Sequence, residues 1–174
     1  MRIETERLTL RPLALLDLDT THAYAGDPDN TEYMVYLPNH TKAETEQFLR
    51  RVVTEWEKDA PQFYEFAVVL HERHIGAVSV SLDEDRAEGE LGWIFHKAYH
   101  GQGYATEAAK AVLDFTLREL PVKRIVAACD CRNAPSCRVM EKIGLSLESA
   151  DGMRRNKNSI EDTREYKYAL TVGE

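Results

Sequence analysis

Two glycines one residue apart sit in His100-Gly101-Gln102-Gly103-Tyr104-Ala105-Thr106-Glu107, between an apolar strand pattern and a long helical one. Glycine brings the backbone close to an anion with no Cβ in the way. The free N–H groups and dipole at the start of the following helix favour negative charge. The chemistry open to such a loop is the cradling of a phosphate or pyrophosphate. A tight turn uses the same glycines, and the loop alone leaves both readings standing. Two common nucleotide motifs are excluded. No G-x-x-x-x-G-K followed by Ser or Thr occurs, and Thr106 replaces the third glycine of G-x-G-x-x-G.

The flanking patterns say what must position this loop. Leu8 to Leu13 alternates like a strand, and Leu15 to Ala25 reads as a short helix ending near Gly26-Asp27-Pro28. Asp27 to His40 reads as loop with a helical turn. Thr41-Lys42-Ala43-Glu44 has the form of a capping box, and Phe48, Leu49, Val52, Val53 and Trp56 behind it recur at helical spacing to about Asp59. Phe63 to Leu70, Ile75 to Leu82 and Glu90 to His96 predict an antiparallel meander. After the glycine loop, Ala108, Val112, Leu113, Phe115, Thr116 and Leu120 face one side of a helix stopped by Pro121. A strand follows from Arg124 to about Cys131. Asn133-Ala134-Pro135-Ser136 then opens a short helix closed by Gly144. Leu145 to Ser149 and Arg164 to Leu170 are the last strand candidates, around a polar segment from Asp151 to Asp162.

With 174 residues, 43% of them hydrophobic and 30% charged, the chain fits one globular domain over residues 1–174 and not a collagenous or disordered class. No repeat or linker interrupts it. There is no apolar run of roughly 20 residues and no basic, apolar leader at MRIETERLTL, so the expected place is the cytoplasm, with no membrane partner. Cys129, Cys131 and Cys137 form no C-x-x-C pair and read as structural thiols. No carboxylate cluster at ligand spacing accompanies His22, His40, His71 and His74, so no metal is expected. Residues 1–90 hold 9 Lys and Arg against 19 Asp and Glu, and residues 91–174 hold 13 against 11. The overall charge of −8 disfavours direct nucleic-acid binding. The acidic half suits a cationic substrate and the mildly basic half an anionic cosubstrate.

Four motifs in order resemble the GNAT acetyltransferase superfamily, and within it the RimJ/RimL-like protein N-acetyltransferase branch. They are Glu4-Thr5-Glu6-Arg7-Leu8-Thr9-Leu10-Arg11-Pro12, Glu90-Leu91-Gly92-Trp93-Ile94, the glycine loop through Ala108, and Asn133-Ala134-Pro135-Ser136 with Glu141-Lys142-Ile143-Gly144-Leu145. The family's acyl-CoA pattern of Gln or Arg, then Gly, then Gly or Ala falls on His100, Gly103 and Ala105. His100 departs from it, which implies side-chain support of the phosphates that is weaker or dependent on pH.

The resemblance implies an α/β (α+β) fold whose mixed, mostly antiparallel sheet is flanked by helices and splayed between the strand ending at His96 and the strand Arg124 to Cys131. It implies transfer of an acetyl group from acetyl-CoA to an amine, by direct attack in a ternary complex. His100, Gly101, Gln102, Gly103, Tyr104, Ala105 and Thr106 would hold the pyrophosphate. Ile94, Phe95, His96 and Asn133 would hold the pantetheine arm. Read without the resemblance, those four are strand-end, core and cap residues. Glu90 is the candidate general base and Ser136 the candidate acid for the departing thiolate, because the family's Tyr position is occupied by Met140. The acceptor is an amine, either a protein N-terminus such as that of a ribosomal protein or a small molecule, and the protein a monomer or homodimer. Two rival readings remain, a catalytically weak acyl-CoA sensor and a nucleotide- or phosphosugar-binding protein.

Overall fold

The computed structural model describes residues 1–173. In chain order the strands are β1 (Ile3–Glu4), β2 (Thr9–Pro12), β3 (Phe63–Leu70), β4 (Arg73–Leu82), β5 (Glu88–Phe95), β6 (Arg124–Asp130), β7 (Ser146–Arg154) and β8 (Thr163–Thr171). The α-helices are α1 (Leu18–Ala25), α2 (Lys42–Trp56), α3 (Tyr104–Glu119) and α4 (Ala134–Lys142). The eight strands form one sheet in the order β1-β2-β3-β4-β5-β6-β8-β7, in which β5 and β6 are the parallel pair and the other neighbours are antiparallel.

Alternation along the meander assigns the two faces of the sheet. Tyr64, Phe66 and Val68 of β3, Val78 and Val80 of β4 and Leu91 and Phe95 of β5 join the core beneath α3 and α4, with Ala108, Val112, Phe115, Val139 and Met140. Residues of opposite parity face α1 and α2: Ala67 packs with Leu13, Leu49 and Val52, and Ala77 with Tyr24 and Ala25. Glu65, Ser79, Ser81, Glu90 and Gly92 share this second parity, so the polar residues of three adjacent strands lie on one face.

Local signals explain the helix ends. Thr41 Oγ1 accepts from the Glu44 N–H at 3.2 Å while Glu44 Oε2 accepts from the His40 N–H at 2.7 Å, which starts α2. Pro121 follows the end of α3, and Gly144 supplies the left-handed residue after α4 with φ +100. Cys129 and Cys137 have their sulfurs 3.5 Å apart as free thiols, and burial pushes the Cys129 thiol up. The architecture is the one the sequence implies, with two additions. Two-residue β1 is too short to show a period. β7 runs on through Arg154 into the segment read as polar loop, because its register shifts between Leu147 and Ser149 and between Ser149 and Gly152 erase the alternation.

Asp130 closes β6 as a fully buried carboxylate. Arg132 donates to it from its backbone N–H at 2.9 Å and its guanidinium at 2.9 and 2.7 Å, and Asn156 Nδ2 donates at 2.6 Å. Burial alone would raise its pKa. The hydrogen bonds from Arg132 and Asn156 outweigh it and hold the carboxyl at about 2. Since the folded value lies below the ordinary 3.8, this contribution is complete above that value and is lost as pH falls toward 2. We expect it to be worth about 2 kcal/mol, and Asp130→Asn to flatten that part of the acid limb in urea unfolding measured from about pH 5 downward.

Candidate active site

The site begins where the sheet comes apart. β5 and β6 pair only at Glu88 with Arg124, Gly89 with Ile125 and Glu90 with Val126, and beyond Glu90 the two strands diverge. Arg124 pins the closed end, donating to Glu88 at 2.8 Å and to Glu148 at 2.6 Å. The His96 N–H donates to Ile75 O at 2.9 Å, which sets the parity of β5. Even-numbered residues hydrogen-bond β4, while Trp93 and Phe95, past the last pair with β6, turn their amides toward the opening. Phe95 O, on the open side, accepts from His100 Nε2 at 2.8 Å and from Asn30 Nδ2 at 3.0 Å.

A cavity of about 470 Å³ runs from this edge to the start of α3. Ile94, Phe95, His100, Gly101, Gly103, Tyr104, Ala105, Thr106, Asn133 and Ser136 line it, as do Asn30, Met34, Trp93, Arg138 and Lys142, which sequence reasoning missed. Gly101 and Gly103 have φ of +73 and +83, so the loop takes a conformation that side chains resist, and Gly103 is the N-cap of α3. Arg138 and Lys142 stand one turn apart on α4 without acidic partners among the described residues. Asn30 Oδ1 is buried and unpartnered. Open amides, a positive helix end and unpaired cations fit a long, amide-bearing ligand with phosphates. His96 and Gln102 stand outside the lining: His96 Nδ1 accepts from the Ala98 N–H at 3.2 Å, and Gln102 Nε2 donates to Ala98 O at 3.2 Å.

The glycine loop is latched to the chain's first motif. Glu107 Oε1 accepts from Thr5 Oγ1 at 2.6 Å and from the Arg7 N–H at 2.8 Å, and Oε2 accepts from Arg7 Nε at 2.7 Å. Arg7 also donates to Gln102 O at 2.9 Å and lies 4.5 Å from the centre of the Tyr104 ring. Burial works against the Glu107 charge, but the Thr5 and Arg7 bonds win and keep its carboxyl below the ordinary value. Glu107→Ala leaves these donors unpaired. We expect a loss of about 1 to 3 kcal/mol in chemical denaturation, with faster amide exchange at the start of α3.

A second cavity, of about 670 Å³, lies on the α1 and α2 face. Glu65, Ser79, Ser81, Glu90 and Gly92 line it from the sheet, and residues 33–37 from the loop before α2. That loop is tied to the β7–β8 hairpin, since Arg154 donates to Tyr33 O at 3.1 Å and Lys157 to Pro38 O at 2.8 Å and, from its N–H, to Met34 O at 3.0 Å. The two cavities share Met34, Trp93, Ile94, Asn133 and Ser136, so they adjoin at the splay. Glu90 stands on the second side. Desolvation first, and the nearby Glu165 charge second, raise its carboxyl above the usual range. Glu88, by contrast, is taken up by Arg124. Asn133 Oδ1 accepts from the Ser136 N–H at 3.2 Å, capping α4 and leaving Nδ2 as the group it can offer. Met140 is fully buried in the core and is no donor.

A sheet opened beside a positive-φ glycine loop, with a second cavity adjoining the opening, gives two ligands neighbouring places at one strand edge. Residues 7–146 match the family model described as acetyltransferase (GNAT) domain, and the chain belongs to that family. It is 33% identical over 150 residues to the uncharacterized N-acetyltransferase YnaD of Bacillus subtilis (strain 168), covering 85% of this chain and 84% of that one. A GNAT-family acetyltransferase structure from Bacillus anthracis superposes with a TM-score of 0.84 at 31% identity over 98% of each chain. RimL, a ribosomal alpha-N-protein acetyltransferase in complex with coenzyme A, shares the fold with a TM-score of 0.87 at 15% identity, over 99% of this chain and 98% of that one.

Proposed function

We propose that the protein transfers the acetyl group of acetyl-CoA to a primary amine, either the α-amine of a protein N-terminus or an amine of a small molecule, in a ternary complex. The observation that carries this reading is the meeting of the two cavities at the splay, with the glycine loop on one side and Glu90 on the other. Acetyl-CoA supplies an activated thioester. Trp93 and Phe95 offer backbone amides to its pantetheine arm along the open edge, with Asn133 Nδ2 opposite, while the amides at Gly101 to Thr106, Arg138 and Lys142 meet its phosphates.

On the acceptor side Glu90 takes the proton that an ammonium must lose before its nitrogen can attack, and the upward direction of its pKa makes it a stronger base than an ordinary carboxylate. The C–N bond forms as the C–S bond breaks. A backbone N–H at the edge near Ile94 and Phe95 receives the developing oxyanion, and the Ser136 hydroxyl gives its proton to the thiolate.

Thermal shift and calorimetry with acetyl-CoA and CoA, with ATP and NAD as controls, test the first half of this reading. A ligand at 100 times its Kd stabilises by about 2.7 kcal/mol. A thiol-release assay across small amines and N-terminal peptides tests the second. Release with one acceptor class supports the transferase. Binding without release on any amine replaces it with an acyl-CoA sensor, and stabilisation by ATP or NAD alone replaces it with a nucleotide-binding protein.

A further inference from the structure

Four polar groups that the transfer chemistry does not use converge in the larger cavity. Glu65 of β3 is only 7% exposed, and its carboxylate has neither a hydrogen bond nor an ion pair among the described residues. Thr21 Oγ1 and Tyr24 Oη, from α1, are buried beside each other, close enough for the Thr21 hydroxyl to act on the Tyr24 phenol, and neither has another partner among the described residues. Both residues line the same cavity as Glu65, and the phenol of Tyr24 feels the Glu65 charge. Ser79 is the cross-strand partner of Glu65 and also lines the cavity, and a Cβ at Gly92 would come within 3.0 Å of its Oγ. The absent side chain at Gly92 therefore leaves the Ser79 hydroxyl room.

Native proteins rarely leave buried polar groups without partners, and a carboxylate least of all. One carboxylate and three hydroxyls offer many acceptor lone pairs and no positive charge. Of the cations that line the cavity, Arg154 is bound to Glu165 and Arg155 to Asp162, while Arg51 on α2 lies 6.0 Å from the centre of the Phe48 ring with no acidic partner among the described residues. A primary ammonium, with three N–H donors, is the complement this recess lacks.

We propose that the recess of Glu65, Tyr24, Thr21 and Ser79 binds a second ammonium of the acceptor, so that the substrate is a diamine with one nitrogen acetylated beside Glu90 and the other held by Glu65. This rests on the reading of the larger cavity as the acceptor site. Glu65 lies level with Ser79, and Ser79 with Gly92, so the recess is two strand spacings, about 10 Å, from β5. The substrate must therefore be long enough to span that separation less the reach of the Glu65 side chain.

Burial pushes the Glu65 carboxyl up to about 8, so it carries its proton at neutral pH while the recess is empty. Other titratable groups lining the cavity are Tyr24 on α1, Tyr33 and Tyr36 on the loop before α2, Arg51 on α2, Glu90 on β5, Cys129 on β6, Arg154 on β7, Arg155 beyond it and Glu165 on β8. Seating an ammonium against Glu65 ionises it and releases a proton.

Calorimetry of the full chain near neutral pH, with α,ω-diamines of graded length against monoamines of the same length, tests this in buffers of different ionisation heat. The diamine that spans the cavity is expected to bind about tenfold tighter than its monoamine and to release a proton on binding. In Glu65→Gln both the tenfold difference and the proton release collapse, and in Tyr24→Phe the difference shrinks. Acetyl-CoA binding and melting temperature check that each variant is folded. Equal affinity for the two ligand series, or a preference that survives Glu65→Gln, overturns the proposal. The assay needs neither acetyl-CoA nor turnover, so its failure leaves the transferase reading intact, and absent thiol release does not obscure it.

Discussion

Glu90→Gln is expected to lower kcat by about 10² to 10⁴-fold while leaving the Kd for acetyl-CoA nearly unchanged. The substitution keeps the size and shape of the side chain and removes only its capacity to take a proton. Glu90 lines the larger cavity and not the one that runs to the glycine loop, so ligand affinity there has no reason to change. The pH profile carries the sharper reading. A base must be unprotonated to act, so the wild-type rate falls as pH drops through the Glu90 pKa, which desolvation and Glu165 hold above 4.5. The variant loses that limb along with most of its rate. Glu88→Gln serves as the contrast, because that carboxylate is bonded to Arg124 and its loss weakens the closed end of the sheet without touching the limb. A Glu90→Gln enzyme with wild-type kcat and pH profile would remove Glu90 from the mechanism.

The second large effect is expected at Gly76. A Cβ there would fall 2.5 Å from Ile94 O and 2.8 Å from Phe95 Cα, and both contacts are backbone atoms of the neighbouring strand. Gly76 faces Phe95 in a pair not joined by hydrogen bonds, where Cα atoms approach most closely. Gly76→Ala therefore displaces the end of β5, the wall of the smaller cavity. We expect a loss of about 1 to 3 kcal/mol in urea denaturation, together with a more than roughly tenfold weakening of acetyl-CoA binding by calorimetry. Gly89→Ala is the matched control. Its Cβ would meet Ile125 Cδ1 and Val80 Cγ2, both at 3.2 Å, and side-chain tips can give way where backbone cannot. Unaltered affinity in Gly76→Ala would mean that the end of β5 does not hold the ligand.

The parts of this molecule legible in its sequence are those governed by local chemistry. The Thr41 cap, the Pro121 stop, the meander and the glycine loop each follow from residues a few positions apart. What depended on long-range register was not legible. Whether Trp93 or Ile94 turns its amide to the opening is decided by the pairing of β5 with β4, which no single strand reveals. His96 and Gln102 read as loop ligands in the sequence, and what the sequence does not show is that the turn at Lys97–Tyr99 takes up both side chains through Ala98, leaving their backbone as what they can offer. Arg138 and Lys142 did leave a trace, two cations at helical spacing on the helix opened by Asn133. Glu65 left another, as the lone carboxylate in the apolar run Phe63 to Leu70, but one charge in a strand reads as a surface position until its face is known.

The parting of β5 from β6 also bears on solubility. A strand edge with open amides is ordinarily a template for another chain and a route to aggregation, and proteins blunt such edges with charge, proline or brevity. Here the edge lies within the sheet, in a cavity walled by α4, the start of α3 and Asn30 and Met34 of the loop before α2. A second sheet cannot dock into that space, while a single slender chain of amides can. The fold thus keeps the hydrogen-bonding valence of an edge strand for its ligand and withholds it from other copies of itself.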